Sequence, residues 1–493
     1  MSFRVSAGPH SARWVLTVAC ALLAALGIAR RADAQAAGSD AAPSDTMASL
    51  HYKGLTLTPV GYFAAEAVFR SRNETADIGS VFNAIPFTGT SNSKLTEFRG
   101  SARQSRLALL GEGKISGAKL SGFFESDFLG AGVTSNSNES NSYALRIRQF
   151  WGQAALTNGW SFAFGQMWSL ITTDKKGIAP RQEFVPLLID AQYSAGFNWA
   201  RQFAVRVTKD ISDVAWLSAA AEGPQMTFSA HGAPAPVLIG STGGGLLNST
   251  ANYSTDVAPD VIGKLAIEPG FGHYEIKVLG RLFRDRIVDT GATASLSHTV
   301  VREAGGVGVG AVWPFYVDKF DVLDFGVTGL WGNGIGRYGA SQLPDATVRA
   351  DGSIVPIRAA HGLVTIEAHP SRKLDVYGYG GAEYAYRTAF LNAAGTKATG
   401  YGSPLFVNTG CTLELAPTGP YAAGAPGATC NADTRVLYQG NVGFWYRFYK
   451  GSAGTVAWGV QYSYTSRNTW SGVGGAPKAI DNMGFMSFRY YIP

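Results

Sequence analysis

Past residue 34 the chain has no long apolar run: no window approaches the roughly eighteen consecutive apolar residues that a transmembrane helix requires. Charge is scarce as well, with Asp, Glu, Lys and Arg making up 15% of the 493 residues. Residues 1–34 hold four of the 41 basic and one of the 35 acidic side chains, so the remainder carries 37 and 34, a net charge of +3. That balance excludes a nucleic-acid partner. Cysteine is nearly missing. Cys20 lies in the leading apolar run, and only Cys411 and Cys430 remain beyond it. No further cysteine and no nearby histidine completes a metal set around them, and an even pair in an exported chain reads as a disulfide. No cofactor motif is present. His361 and His369 share a strand face but lie about 26 Å apart at roughly 3.3 Å per residue, too far for one site. With no nucleophile motif either, the sequence gives no grounds for an enzyme.

What is abundant is glycine, 61 residues, and aromatic side chains, 12% of the chain. The first residues have the pattern of a secretory signal. Arg4 and Arg13 lead an apolar run from Trp14 to Ile28, and Ala32-Asp33-Ala34 offers a small-x-small cleavage site. Residues 1–34 are therefore expected to be a signal peptide, residues 35–53 a flexible lead-in, and residues 54–493 the working domain.

That domain alternates with period two, the signature of strands. The return strand of the last hairpin puts Val456, Trp458, Val460, Tyr462 and Tyr464 on one face and Thr455, Ala457, Gly459, Gln461 and Ser463 on the other. The clearest pattern sets Tyr274, Ile276, Val278, Gly280 and Leu282 against His273, Glu275, Lys277, Leu279, Arg281 and Asp285. Short turns, such as Ser116-Gly117-Ala118 and Asn158-Gly159, alternate with long polar segments, such as Ser71 to Glu97 and Gly223 to Pro259. The second strand is expected at about Arg99 to Ile115. The pattern predicts about sixteen strands, seven short turns and eight longer loops. The fold class is all-β, an antiparallel transmembrane β-barrel with short periplasmic turns and long external loops, in the outer membrane of a Gram-negative-type bacterium. A closed sheet bonds every backbone amide internally, as hydrocarbon demands. Trp160, Trp331, Tyr338, Phe444, Tyr462 and Tyr490 are then expected near the interfaces with outer-membrane lipid.

Four segments carry a family resemblance. Gly165-Gln166-Met167-Trp168-Ser169, the stretch Gly332-Asn333-Gly334-Ile335-Gly336-Arg337-Tyr338, Leu145-Arg146-Ile147-Arg148-Gln149, and Ala200-Arg201-Gln202 ahead of Val205-Arg206 resemble motifs of the DcaP-like trimeric outer-membrane porins. The resemblance implies a sixteen-stranded homotrimer that passes small, often anionic solutes. The chain departs from some members in lacking a heptad-bearing amino-terminal extension and in ending on Pro493 after Tyr491 and Ile492.

By parity, Arg106, Arg146, Arg148, Arg206, Lys264, Lys277 and Arg281 point inward, facing acids that include Glu125 and Asp127. These are the expected pore-lining residues, and the Arg146 and Arg148 pair is expected to attract carboxylates, whose geometry a guanidinium fork matches. In porins generally the third loop narrows the channel. By that analogy Asp174, Lys175, Lys176, Arg181, Gln182 and Glu183 form the constriction. The expected function is passive diffusion of small hydrophilic solutes with a preference for anions. The alternative is a structural or adhesive barrel that works through its external loops.

Overall fold

The computed structural model describes residues 49–130, 143–232, 237–242, 252–289, 297–317, 320–414 and 429–493. The signal segment, most of the lead-in and the polar run at 131–142 lie outside the described residues. Sixteen long strands build the wall: β1 Leu55–Arg70, β2 Arg106–Ile115, β3 Ala118–Gly130, β4 Ala144–Leu156, β5 Trp160–Trp168, β6 Arg201–Ser212, β7 Ala215–Glu222 and β8 Asp260–Ile267 form its first half. The second half is β9 His273–Ile287, β10 His298–Val317, β11 Phe320–Asn333, β12 Arg358–Ser371, β13 Leu374–Ala385, β14 Thr434–Gly451, β15 Gly454–Thr469 and β16 Lys478–Tyr491. Each strand pairs antiparallel with the next. The sheet closes where Tyr62 through Arg70 of β1 pair with Tyr491 through Met483 of β16.

The alternation read from the sequence becomes the two faces of the wall. On β9, Ile276 is 59% exposed on the outside, while Lys277 beside it is 3% exposed and turned inward. Phe164, Val309 and Val442 continue the bare apolar exterior on other strands. Such a surface is stable only against hydrocarbon, so the molecule is a membrane-spanning barrel of the outer-membrane type. Turns and loops are sorted by length. Gly117 and Gly159 take φ values of +76° and +80° in two of the tight turns, a region that side chains with a Cβ avoid.

Three expectations need correction. The second strand is broken: Glu97–Ser101 pairs with the upper half of β1, and β2 begins only at Arg106. The break lets Gln104 and Ser105 turn inward, where Ser105 Oγ accepts the Ala64 amide at 2.9 Å. The end of the lead-in is ordered, because Leu50–Tyr52 folds back on Leu55–Leu57. Tyr338 is no interfacial aromatic. It is fully buried inside the barrel, donating to Asp260 Oδ2 at 2.8 Å, because Gly334 and the short helical turn Gly336–Tyr338 carry the chain inward after β11.

Candidate functional site: a loop across the lumen and the basic cavity beside it

The third loop, residues 169–200, does not rise away from the membrane but crosses the barrel. Its backbone is carried by side chains of the inner wall. Lys277 Nζ donates to Ile171 O at 2.8 Å and Lys264 Nζ to Thr172 O at 2.7 Å. On the far side, Gln461 Oε1 accepts the Ile189 amide at 2.6 Å, Gln439 Oε1 the Ala195 amide at 3.1 Å, and Glu383 Oε1 the Gly196 amide at 2.9 Å. Trp445 Nε1 donates to Leu187 O at 2.7 Å. A buried peptide group without a partner is costly, so inward side chains of β8, β9, β13, β14 and β15 specify where this segment lies.

Glycine on the inner wall makes room for it. A Cβ on Gly381 would stand 1.9 Å from Ala195 O, and one on Gly310 would stand 2.7 Å from Thr173 Oγ1. The first loop clamps the crossing from above: Ser80 Oγ donates to Asp190 Oδ2 at 2.6 Å. Ile78 and Phe82 pack into one cluster with Ile189, Tyr193 and Phe197. Burial raises the Asp190 carboxyl above its usual range. For Tyr193 burial pushes the phenol up, but the Arg148, Arg201 and Arg106 guanidiniums overturn that and bring it down to about 8.

The expected pore-lining residues all lie on inward positions, yet most are covered. Arg206 donates to Trp168 O at 2.6 Å, Lys264 pairs with Asp174 at 2.7 Å and Glu275 at 3.1 Å, and Lys277 pairs with Glu275 at 2.9 Å. Arg281 pairs with Asp260 and Asp345, each at 3.0 Å, and lies over the Phe283 and Tyr338 rings. Lys264, Lys277 and Arg281 hold inward-folded loops in place, Arg206 braces the end of β5, and all four are buried. The Arg146 and Arg148 pair is corrected too. Arg148 binds Glu125 at 2.9 Å and Asp127 at 2.8 Å with its side chain 3% exposed, while Arg146 binds Asp127 at 2.7 Å. Their forks are already filled by carboxylates of the neighbouring strand.

Within the third loop Asp174 is buried under Lys264, and Glu183 is its backbone bridge partner. Lys175 reaches Asp324 at 3.4 Å and lies over the Phe184 ring, Arg181 lies over Phe123, and Lys176 and Gln182 are exposed. Among the described residues Asp321, Asp324 and His369 come close enough to hold a metal ion. Lys175 already supplies a cation there, and His369 is bonded to Asp375 at 2.8 Å. Cys411 and Cys430 are joined by a disulfide.

Between loop residues 185–193 and the wall lies a cavity of about 460 Å³. Arg106, Arg148, Arg447, Lys450 and Arg489 line it, against the carboxylates of Asp190 and Asp375. Glu66 and Glu125, the partners of Arg489 at 2.8 Å and Arg106 at 3.4 Å, are not among its lining residues. Arg489 and Arg106 thus stand in front of their counter-charges, while Asp375, the partner of Arg447, shares the lining. Tyr62 and Trp445 supply faces on which Arg489 lies, 4.7 and 4.5 Å from the ring centres. The cavity runs toward the short-turn end, where Lys450 and Thr455 flank the β14–β15 turn. Arg447, Lys450 and Arg489 escaped the reading of the sequence, although Arg489 sits two residues from Ser487 on the inner parity of β16.

No family model and no curated protein matches the chain. Among solved structures, the outer membrane channel DcaP of Acinetobacter baumannii superposes with a TM-score of 0.61 at 18% identity, over 90% of this chain and 99% of that one. An anion-selective porin from Comamonas acidovorans and Salmonella typhi OmpF align at TM-scores of 0.45 and 0.46, each at 10% identity. The anion-selective porin alignment covers 89% of this chain and 100% of that one, and the OmpF alignment 90% and 100%. The chain has the fold of the outer membrane channel DcaP.

Proposed function

We propose that this barrel is an outer-membrane porin that passes small hydrophilic solutes and favours anions such as carboxylates. The observation that carries the reading is the cavity beside the third loop, with five cationic side chains and two carboxylates on its lining. Lys450 and the half-buried Arg106 and Arg447 offer cationic groups to the cavity, Arg106 with its counter-charge set back, and such groups lower the energy of an anion in transit without trapping it; conduction needs both properties. Trimeric assembly belongs to the same proposal and is read by chemical cross-linking in detergent.

The test is the reversal potential in planar bilayers under a salt gradient. The wild type is expected to reverse on the anion side, and Arg447→Gln with Lys450→Gln to move most of the way toward zero. These two are the right pair because Lys450 is exposed, and Asp375, which binds Arg447, keeps His369 as a partner at 2.8 Å. A cation-side potential in the wild type would discard the anion preference. A membrane without discrete conductance steps would favour the adhesive barrel.

A further inference from the structure

At the external ends of β11 to β15 a chain of rings and guanidiniums runs along the rim. Trp331 is 50% exposed on the lipid face. Arg358, on an outward position beside the buried Ala359, lies over Trp331 at 5.7 Å and over Tyr386 at 5.9 Å. Tyr386 meets Tyr384 edge-on at 4.7 Å, and Tyr384 meets Trp470 at 6.0 Å. Trp470 in turn carries two arginines, Arg387 at 4.6 Å and Arg435 at 5.7 Å.

All three arginines are exposed, and among the described residues none is paired with a carboxylate. Asp433, two residues before Arg435, is turned away onto His231 at 3.0 Å and the Gly402 amide at 2.6 Å. Residues 415–428, outside the described residues, contain no acidic side chain. Among the described residues each guanidinium therefore uses only its flat face, against a ring, and its N–H edge meets no acceptor. That edge matches the paired oxygens of a phosphate. The position matters as much as the chemistry. The patch stands where an aromatic girdle marks the boundary between hydrocarbon and headgroups, at the end of the barrel bearing the long loops.

We propose that Arg358, Arg387 and Arg435, held on Trp331, Tyr386 and Trp470, form a docking surface for a phosphorylated lipid of the outer leaflet. The rings lie beside the lipid body and the arginine edges clasp its phosphates. The site is on the outside of the wall and is independent of solute passage.

The probe is diphosphorylated lipid A. The purified full-length protein in detergent is titrated with it, and binding is followed by native mass spectrometry for the wild type, for Arg358→Gln with Arg387→Gln and Arg435→Gln, and for Arg372→Gln at the opposite end. Heat-modifiable migration shows that each variant is a closed barrel. Losing three charge-assisted contacts is expected to weaken binding by at least about tenfold, since hydrogen bonds to charged groups are the strong ones. Arg372→Gln is expected to match the wild type. Lipid A stripped of phosphate is expected to bind the wild type no better than the triple variant, and inorganic phosphate alone is expected not to bind detectably. Equal affinity of wild type and triple variant overturns the proposal. So does equal affinity for phosphorylated and stripped lipid, or saturable binding of inorganic phosphate alone, which would mark a free-anion site.

Discussion

At the scale of single residues, parity shows which face a side chain takes but not what it meets there. Arg148 illustrates the gap. Its inward position follows from Leu145 and Ile147 facing out, yet its two carboxylate partners come from β3, and the pairing rests on a register shift between Glu125 and Ser126. Removing one side of a buried ion pair leaves the other charge stranded, at a cost of about 3–5 kcal/mol. Arg148→Ala is therefore expected to lower the resistance of the folded barrel to urea by about that much, and adding Glu125→Gln and Asp127→Asn to recover most of it. The recovery in the triple variant is the informative measurement, since a side chain needed only for its volume would not be rescued by neutralising its neighbours. Arg146→Ala combined with Arg148→Ala is expected to turn selectivity toward cations by uncovering Glu125 and Asp127.

The third loop is the element on which the interior depends, and its acids give it a pH sensitivity. Burial first, and then the neighbouring Asp174, raise the Glu183 carboxyl to about 7; Arg206 and Lys264 from the wall pull the other way without cancelling it. The unfolded value is about 4.3. A carboxyl whose folded value is raised contributes its full stabilisation below the unfolded value and loses it as pH climbs through the folded one. The tuck of the loop is thus expected to loosen between roughly pH 4 and 7, seen as more frequent closures of single channels at the upper end, and Glu183→Gln is expected to flatten that profile. Closures that rise equally with pH in both proteins would assign the effect to another group.

Glycines tell a similar story for the same loop. Gly381 faces the crossing backbone, while a Cβ on its neighbour Gly380 would meet nothing within 4 Å. Gly381→Ala is expected to dislodge the loop and lower the voltage at which channels close, with Gly380→Ala unchanged. Strand positions and the sorting of short turns from long loops were legible from period two and from turn residues. The inward path of the third loop was not. It is set by Gln439, Gln461, Glu383 and Trp445, hundreds of residues away in sequence, and each of them looks like an ordinary inward polar or aromatic residue of a wet lumen. Three basic residues expected to face water, Lys264, Lys277 and Arg281, became loop anchors for the same reason: alternation specifies direction, and what fills the space is decided by chain that returns from elsewhere.

At the scale of the molecule, everything rests on closure. An open sheet in a membrane would leave the edges of β1 and β16 unpaired in hydrocarbon, where each orphaned peptide group costs several kcal/mol, so the seam must be continuous. It is reinforced inside by Glu66, which accepts from Ser487 Oγ at 2.8 Å and from Arg489 Nη2 at 2.8 Å. The register places Ala67 opposite Met486. Directly opposed residues of an antiparallel pair have Cα atoms about 4.5–5.5 Å apart, within the span that a disulfide bridges. Ala67→Cys with Met486→Cys is therefore expected to cross-link on mild oxidation of the folded protein in lipid, giving a peptide that joins the first and last strands by mass spectrometry and a barrel that keeps its fast migration after boiling. Moving the first cysteine along by a single residue, with Val68→Cys in place of Ala67→Cys, turns that side chain to the inner face and is expected to abolish the link. A link that formed equally well from either position would mean that the two strands slide past each other, and a barrel with a sliding seam could not hold the arginine of its last strand against the acid of its first.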